Sequence, residues 1–233
     1  DEEVPQAYEQ VSDGKQTMAN LVGNFMDNNH IMYTPPALEF MGATVQAHLG
    51  YTPMASDAVV GDGGQATYNE TWGSGKEAGL TISYDALKLG FYGAERENIT
   101  PTGTGDIVHD EFIGAWYVKY NFGPVSIGYS QAYRAELLAN NAYQTATNVD
   151  YYDQTNYSIA FAASDDLSVS YERETSEANK LDDTSVEQES SAVQVAYTMG
   201  SMTVKGHVTK ADNVGYSSTN TDENKAVAVS FSF

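Results

Sequence analysis

Glu223-Asn-Lys-Ala-Val-Ala-Val-Ser-Phe-Ser-Phe233 ends the chain in strict alternation. Val227, Val229, Phe231 and Phe233 fall on one side, and Ala226, Ala228, Ser230 and Ser232 on the other. A period of two places these sets on opposite faces of a strand. One face is bulky and apolar, the other small and polar, and the last residue is aromatic. Chain ends in water usually fray. A strand that must pair its backbone inside lipid cannot. The terminus therefore reads as a strand of an antiparallel transmembrane β-barrel, an all-β fold.

Outward from that stretch the same period recurs. It predicts about eleven strands, near 28–34, 40–51, 76–85, 87–98, 109–121, 125–137, 149–163, 167–178, 187–199, 202–213 and 223–233. Residues 28–233 are thus read as barrel strands. Many run longer than the usual strand and match a tilted bilayer span of about 9–11 residues. Short turns are expected at Pro35-Pro36, Asp85-Ala86, Phe122-Gly123-Pro124, Ser164-Asp165-Asp166 and Met199-Gly200-Ser201, alternating with long polar loops at 52–75, 99–108, 138–148, 179–186 and 214–222. Short turns on one rim and long loops on the other follow the periplasmic and external sides of an outer-membrane barrel. A β-sandwich also alternates but seldom gathers its long loops at one end.

The two faces keep their character from strand to strand. The apolar set includes Leu87/Leu89/Phe91, Val125/Ile127/Tyr129, Tyr157/Ile159/Phe161 and Val193/Val195/Tyr197. The opposite set includes Thr44/Gln46/His48, Lys88/Gly90/Tyr92, Tyr117/Lys119 and Thr203/Lys205/His207. Lysine and histidine alternating with bulky apolar residues suit a wet interior and a greasy exterior. Tyr84, Tyr120, Tyr197 and Phe233 flank the short turns, the place for an aromatic girdle at headgroup level.

Composition sets outer bounds. The 233 residues carry 11 Lys+Arg against 32 Asp+Glu, a formal charge of −21, and no cysteine. That balance excludes nucleic acid as a partner, because its recognition starts from a basic footprint, and it favours cations. Disulfides and thiolate metal sites are excluded. No apolar run is long enough for a membrane-spanning helix, and Asp-Glu-Glu-Val at the start is not a signal peptide.

Single-chain barrels usually have an even strand number, so an odd count implies missing N-terminal strands or a partner that closes the sheet. Around the first strand, Asn29, Ile31, Tyr33 and Pro36 resemble a segment of the general diffusion porins of alphaproteobacteria; Gly42-Ala-Thr-Val-Gln-Ala-His-Leu-Gly-Tyr51 resembles that family's next strand, and Ser-Phe-Ser-Phe its C-terminal closing signal. The resemblance implies homotrimeric barrels of sixteen strands. It implies a third external loop folded into the lumen after the fifth strand, and a C-terminal Phe233 read by the barrel-assembly machinery. On that pattern residues 1–27 are the pore-constricting loop, and the chain lacks the first five strands.

The candidate site follows. Asp1, Glu2, Glu3, Glu9 and Asp13 would line one side of an eyelet, with Lys88, Arg96, Lys119, Lys205 and His207 on the facing wall. Opposed charges across a narrow passage bias ion flow. The alternative for residues 1–27 is a solvated acidic segment. The acidic run 172–189 is read as a solvated loop, with Asp182, Asp183 and Glu187 as weak ligands for Ca²⁺, or for divalent ions bridging to lipopolysaccharide. His30, His48, His109 and His207 show no zinc spacing. Trp72-Gly-Ser-Gly-Lys76-Glu77 lacks the phosphate-loop pattern and is read as loop. His109-Asp110-Glu111 is the best catalytic cluster and has no serine motif, so no enzyme is expected. The expected function is passive, cation-preferring diffusion of small hydrophilic solutes across a Gram-negative outer membrane, with lipid and lipopolysaccharide as surroundings and no cofactor. The alternatives are a substrate-specific channel, for which Tyr92 and Tyr117 are the regular lumen aromatics, and a soluble Ca²⁺- or glycan-binding sandwich.

Overall fold

A computed structural model describes residues 4–7, 30–53, 60–61, 64–65, 72–99, 109–135 and 149–232. Its strands are β1 (Ile31–Tyr33), β2 (Leu38–Phe40), β3 (Ala43–Thr52), β4 (Val60–Gly61), β5 (Gly64–Gln65), β6 (Trp72–Tyr84), β7 (Leu87–Asn98), β8 (Glu111–Phe122), β9 (Val125–Ala135), β10 (Val149–Ala162), β11 (Leu167–Lys180), β12 (Ser185–Met199), β13 (Met202–Asp212) and β14 (Thr221–Phe231). One 12-stranded sheet runs β1-β3-β6-β7-β8-β9-β10-β11-β12-β13-β14, with β2 also on β3; β4 and β5 form a separate small hairpin. Neighbours in the large sheet pair antiparallel, in chain order, as a meander. Among the described residues no helix occurs, and the sheet is open from β1 to β14.

The Pro35-Pro36 turn is corrected. Ile31–Tyr33 pairs with Tyr51 to Leu49, and Leu38–Phe40 with Val45 to Ala43, so β1 and β2 are two halves of one edge strand lying on β3. The prolines fall in its gap because they have no N–H for the ladder and are tolerated on edges and bulges. Gln46 Nε2 bridges the gap by donating to Pro35 O at 2.8 Å. The reversal is at Met41 and Gly42, with φ of 50° and 84°. Left-handed conformation at both central residues is the geometry of a two-residue hairpin turn.

The 179–186 loop is also corrected. β11 and β12 continue almost to their reversal, which takes only residues 181–184. Asp182 closes it by accepting hydrogen bonds from the Thr184 hydroxyl and N–H, which hold its carboxyl below the ordinary value. The acidic run is therefore mostly ladder: Glu172 faces Ala192 and Glu177 faces Glu187. Likewise Trp72 already belongs to β6, because Glu97 on β7 accepts from the Ser74 N–H and hydroxyl, both at 3.0 Å.

The polarity of the sheet is inverted relative to a water-soluble protein. Val193 is 61% exposed and Phe231 57%, whereas Tyr117 is 1% exposed and Glu172 0%. Leu89, Lys119 and Lys205 are half-buried. In water this arrangement would desolvate carboxylates while leaving valines wet, which runs against both terms. Hydrocarbon outside removes the conflict. On β8 the outward side chains run from Phe112 to Phe122 over ten residue steps, about 34 Å along the strand, or about 26 Å across a bilayer at barrel tilt, the height of the usual apolar band. No helix among the described residues is long and apolar enough to cross a membrane, which says nothing against crossing by strands.

Candidate functional site

The inner face carries a buried charge cluster. Arg96, Glu111 and Arg134 come from adjacent strands β7, β8 and β9. Arg96 donates through Nε to Glu111 Oε2 at 3.0 Å and again through Nη2. Arg134 Nη2 lies 2.9 Å from Glu111 Oε1. One carboxylate is thus held between two guanidiniums. Arg96 is expected as a wall cation facing acid across the lumen, and it forms an ion pair with Glu111 on the wall beside it. Lys88 and Lys119 stand opposite each other across β7 and β8, and Lys88 Nζ sits 5.6 Å from the Tyr117 ring centroid. Lys205 and His207 lie on the inner side of β13, with His207 buried opposite Gln194.

Three rings lie along the same wall. His48 and Tyr92 have centroids 5.6 Å apart, Tyr92 and Tyr117 6.3 Å. Thr81 and Tyr92 share a hydrogen bond of 2.9 Å. The rings lie over glycine: a Cβ at Gly79 would come within 1.9 Å of His48, and one at Gly90 within 2.2 Å of Tyr117. Gly90→Ala is expected to lower stability by about 1–3 kcal/mol through overpacking, read as a shift in the urea unfolding midpoint. Tyr117→Ala in the same chain should make Gly90→Ala nearly silent; a loss unchanged in that background would mean that the ring does not oppose the Cβ.

Residues 4–7 cross this face. The Ala7 N–H donates to Ser170 Oγ at 2.8 Å, and the Ser158 hydroxyl donates to Pro5 O. Val4 is buried, and Val4 and Pro5 lie over Gly128, where a Cβ would be 2.4 Å from Pro5. Asp1, Glu2, Glu3, Glu9, Asp13 and Phe233 lie outside the described residues.

On the outer face Tyr84, Tyr120 and Tyr197 are exposed at the short-turn rim, joined by Phe122 and Phe231. A second ring group stands at the other end of the strands: Phe112 and Tyr133 at 6.2 Å, Tyr133 and Tyr151 at 5.3 Å. The cluster His109-Asp110-Glu111 is split. His109 Nε2 lies 3.5 Å from Asp150, while Glu111 turns inward. Asp182, Asp183 and Glu187 are not gathered, and no group of three His, Cys, Asp or Glu suited to a metal occurs among the described residues. Arg134 escaped the sequence reading although its parity on β9 places it inward; only the β8–β9 register shows that Glu111 can serve both arginines.

An inverted antiparallel meander with a polar, partly covered inner face defines the outer-membrane β-barrel class. The chain is similar in structure to the anion-selective porin from Comamonas acidovorans (13% identity, TM-score 0.55), covering 79% of this chain and 49% of the porin. It is also similar to the outer membrane channel DcaP of Acinetobacter baumannii (11%, TM-score 0.54; 97% and 69%) and to outer-membrane expressed OmpT of Vibrio cholerae (12%, TM-score 0.56; 96% and 74%). The chain spans about half the length of the Comamonas porin. No family model and no curated protein matches the sequence.

Proposed function

We propose that the chain forms part of a general diffusion porin of a Gram-negative outer membrane, of the alphaproteobacterial type, with sixteen strands in the full barrel and three barrels in the assembly. It passes small hydrophilic solutes and ions without chemistry. The carrying observation is the polar inner face crossed by residues 4–7, which are seated on Gly128, Ser158 and Ser170. That contact supports residues 1–27 as an inward-folded constriction whose Asp1, Glu2, Glu3, Glu9 and Asp13 weight the passage toward cations. Phe233 serves the barrel-assembly machinery, and lipid with lipopolysaccharide surrounds the outer face.

The test is the zero-current potential of reconstituted channels in a potassium chloride gradient. Cation preference is expected, weakened when Glu2, Glu3 and Glu9 are all changed to Gln. Anion preference in the unaltered protein would overturn the charge assignment, and an unchanged potential in the triple variant would remove residues 1–27 from the passage. The rings of His48, Tyr92 and Tyr117 favour a second reading, a channel with affinity for sugars. Saturable block of conductance by a sugar would favour it over simple diffusion.

A further inference from the structure

The connection between β13 and β14, residues 213–220, does not extend away from the barrel. Asn213, Gly215 and Tyr216 are all left-handed, with φ of 56°, 69° and 56°. The Val214 N–H donates to Asn220 O at 3.0 Å and the Asn220 N–H to Ser217 O at 3.1 Å, so the segment is wound tightly on itself. It is tied to β12 by Asn213 Nδ2 donating to Glu187 O at 2.7 Å and by the Gly215 N–H donating to Gln188 Oε1 at 2.8 Å. Gln188 is buried on the inner face, so the second tie draws the loop over that face. Tyr216 then reaches past β12. Its hydroxyl shares a 2.8 Å hydrogen bond with Ser176 on β11, and its ring packs 5.0 Å from that of Tyr152 on β10. Tyr152 and its neighbours Ala132 and Ala178 form the small buried apolar cluster on which Tyr216 rests. Asn and Gly enter the left-handed region readily, but Tyr216 does so at a cost and is held there by its contacts on the inner wall.

We propose that residues 213–220 are a mouth filter at the long-loop end, separate from residues 4–7, and that Tyr216 sets the upper size of solutes entering from that side. The inference rests on the channel reading. A loop anchored on both β11 and β12 covers part of the entrance permanently and acts on size, not on charge.

The chain has no cysteine, so a single engineered thiol can be addressed alone. The full-length protein is reconstituted in planar bilayers as wild type, Tyr216→Ala, Tyr216→Cys and Ser218→Cys. Tyr216→Ala is expected to raise single-channel conductance and to move the cut-off in a graded sugar series upward. A bulky neutral thiol reagent added on the loop side should lower the conductance of Tyr216→Cys and leave Ser218→Cys, on the exposed side of the same loop, unaltered. If Tyr216→Ala fails to insert, the Tyr216→Cys result decides alone. Wild-type channels that conduct, with neither Tyr216 variant departing from them, would overturn the filter and leave the channel reading standing. Absence of any conductance in the wild type would overturn the channel reading itself.

Discussion

Replacing Glu111 by alanine is expected to cost about 3–5 kcal/mol of folding stability, the loss typical of breaking a buried ion pair from one side. Glu111 and Arg96 side chains are 2% and 6% exposed. Removing the carboxylate takes a shared partner at once from two guanidiniums, one on each strand flanking β8, and the Arg96 guanidinium is buried. Neither arginine can shed its proton to escape the cost. Urea titration in detergent, followed through the fluorescence of Trp116 on the same strand, reads the change. The double variant Glu111→Leu with Arg96→Met removes charge together with its partner and should recover much of the loss, because an apolar replacement of a whole buried pair is often neutral. A midpoint unmoved by Glu111→Ala would mean that water reaches the cluster and screens it.

This cluster shows where sequence reading stops. Face assignment needs only a period of two, and the ladders put Arg96, Lys88, Lys119 and Lys205 on the same face of the sheet as the buried Tyr117 and Glu172. Partner assignment needs register. Glu111 closes the stretch His109-Asp110-Glu111, which as sequence offers only a candidate catalytic cluster, yet the β7–β8 ladder sets it directly against Arg96. Arg134 enters only through β9. A one-residue slip would have turned these groups to lipid, so the pairing is specified by the sheet as a whole and not by any local pattern.

The turns divide in the same way. Asp85-Ala86 and Gly200-Ser201 were legible because a left-handed residue, Asp85 or Gly200, sits between two alternating runs. Pro35-Pro36 misled because proline signals both a turn and a broken edge strand. Met41-Gly42 carried the reversal instead, with methionine in a conformation its side chain disfavours. The inward course of residues 213–220 had no signal of its own: Tyr216 is one of 17 tyrosines, and its destination on Tyr152 exists only once β10 to β13 are side by side. The acidic run at 172–189 misled through composition. Charge density suggested a loop, whereas alternation of Glu172 and Glu174 inward with Arg173 and Thr175 outward kept it in the ladder.

Val195→Arg separates a membrane barrel from every soluble arrangement of the same strands. Val195 is 42% exposed on β12, between Val169 of β11 and Gly206 of β13, within the outer apolar band. If hydrocarbon bathes that face, an arginine near mid-depth is expected to cost about 2–4 kcal/mol, because the guanidinium must be drawn out of water or must thin the lipid around it. Guanidinium chloride titration of the protein folded in phospholipid vesicles reads that cost directly. Its neighbour Ala196 points the other way, opposite Lys205, so Ala196→Glu should be neutral or slightly stabilising through the cross-strand charge pair. In a soluble sandwich that exposed Val195 to water the order reverses: the arginine is harmless at a surface position and removes part of an aggregation-prone apolar patch. Equal tolerance of Val195→Arg in vesicles and detergent-free buffer, with monomeric protein in both, would end the barrel interpretation. A steep loss at Val195 beside indifference at Ala196 assigns opposite solvents to two consecutive residues, which only a sheet with lipid on one face and a wet lumen on the other provides.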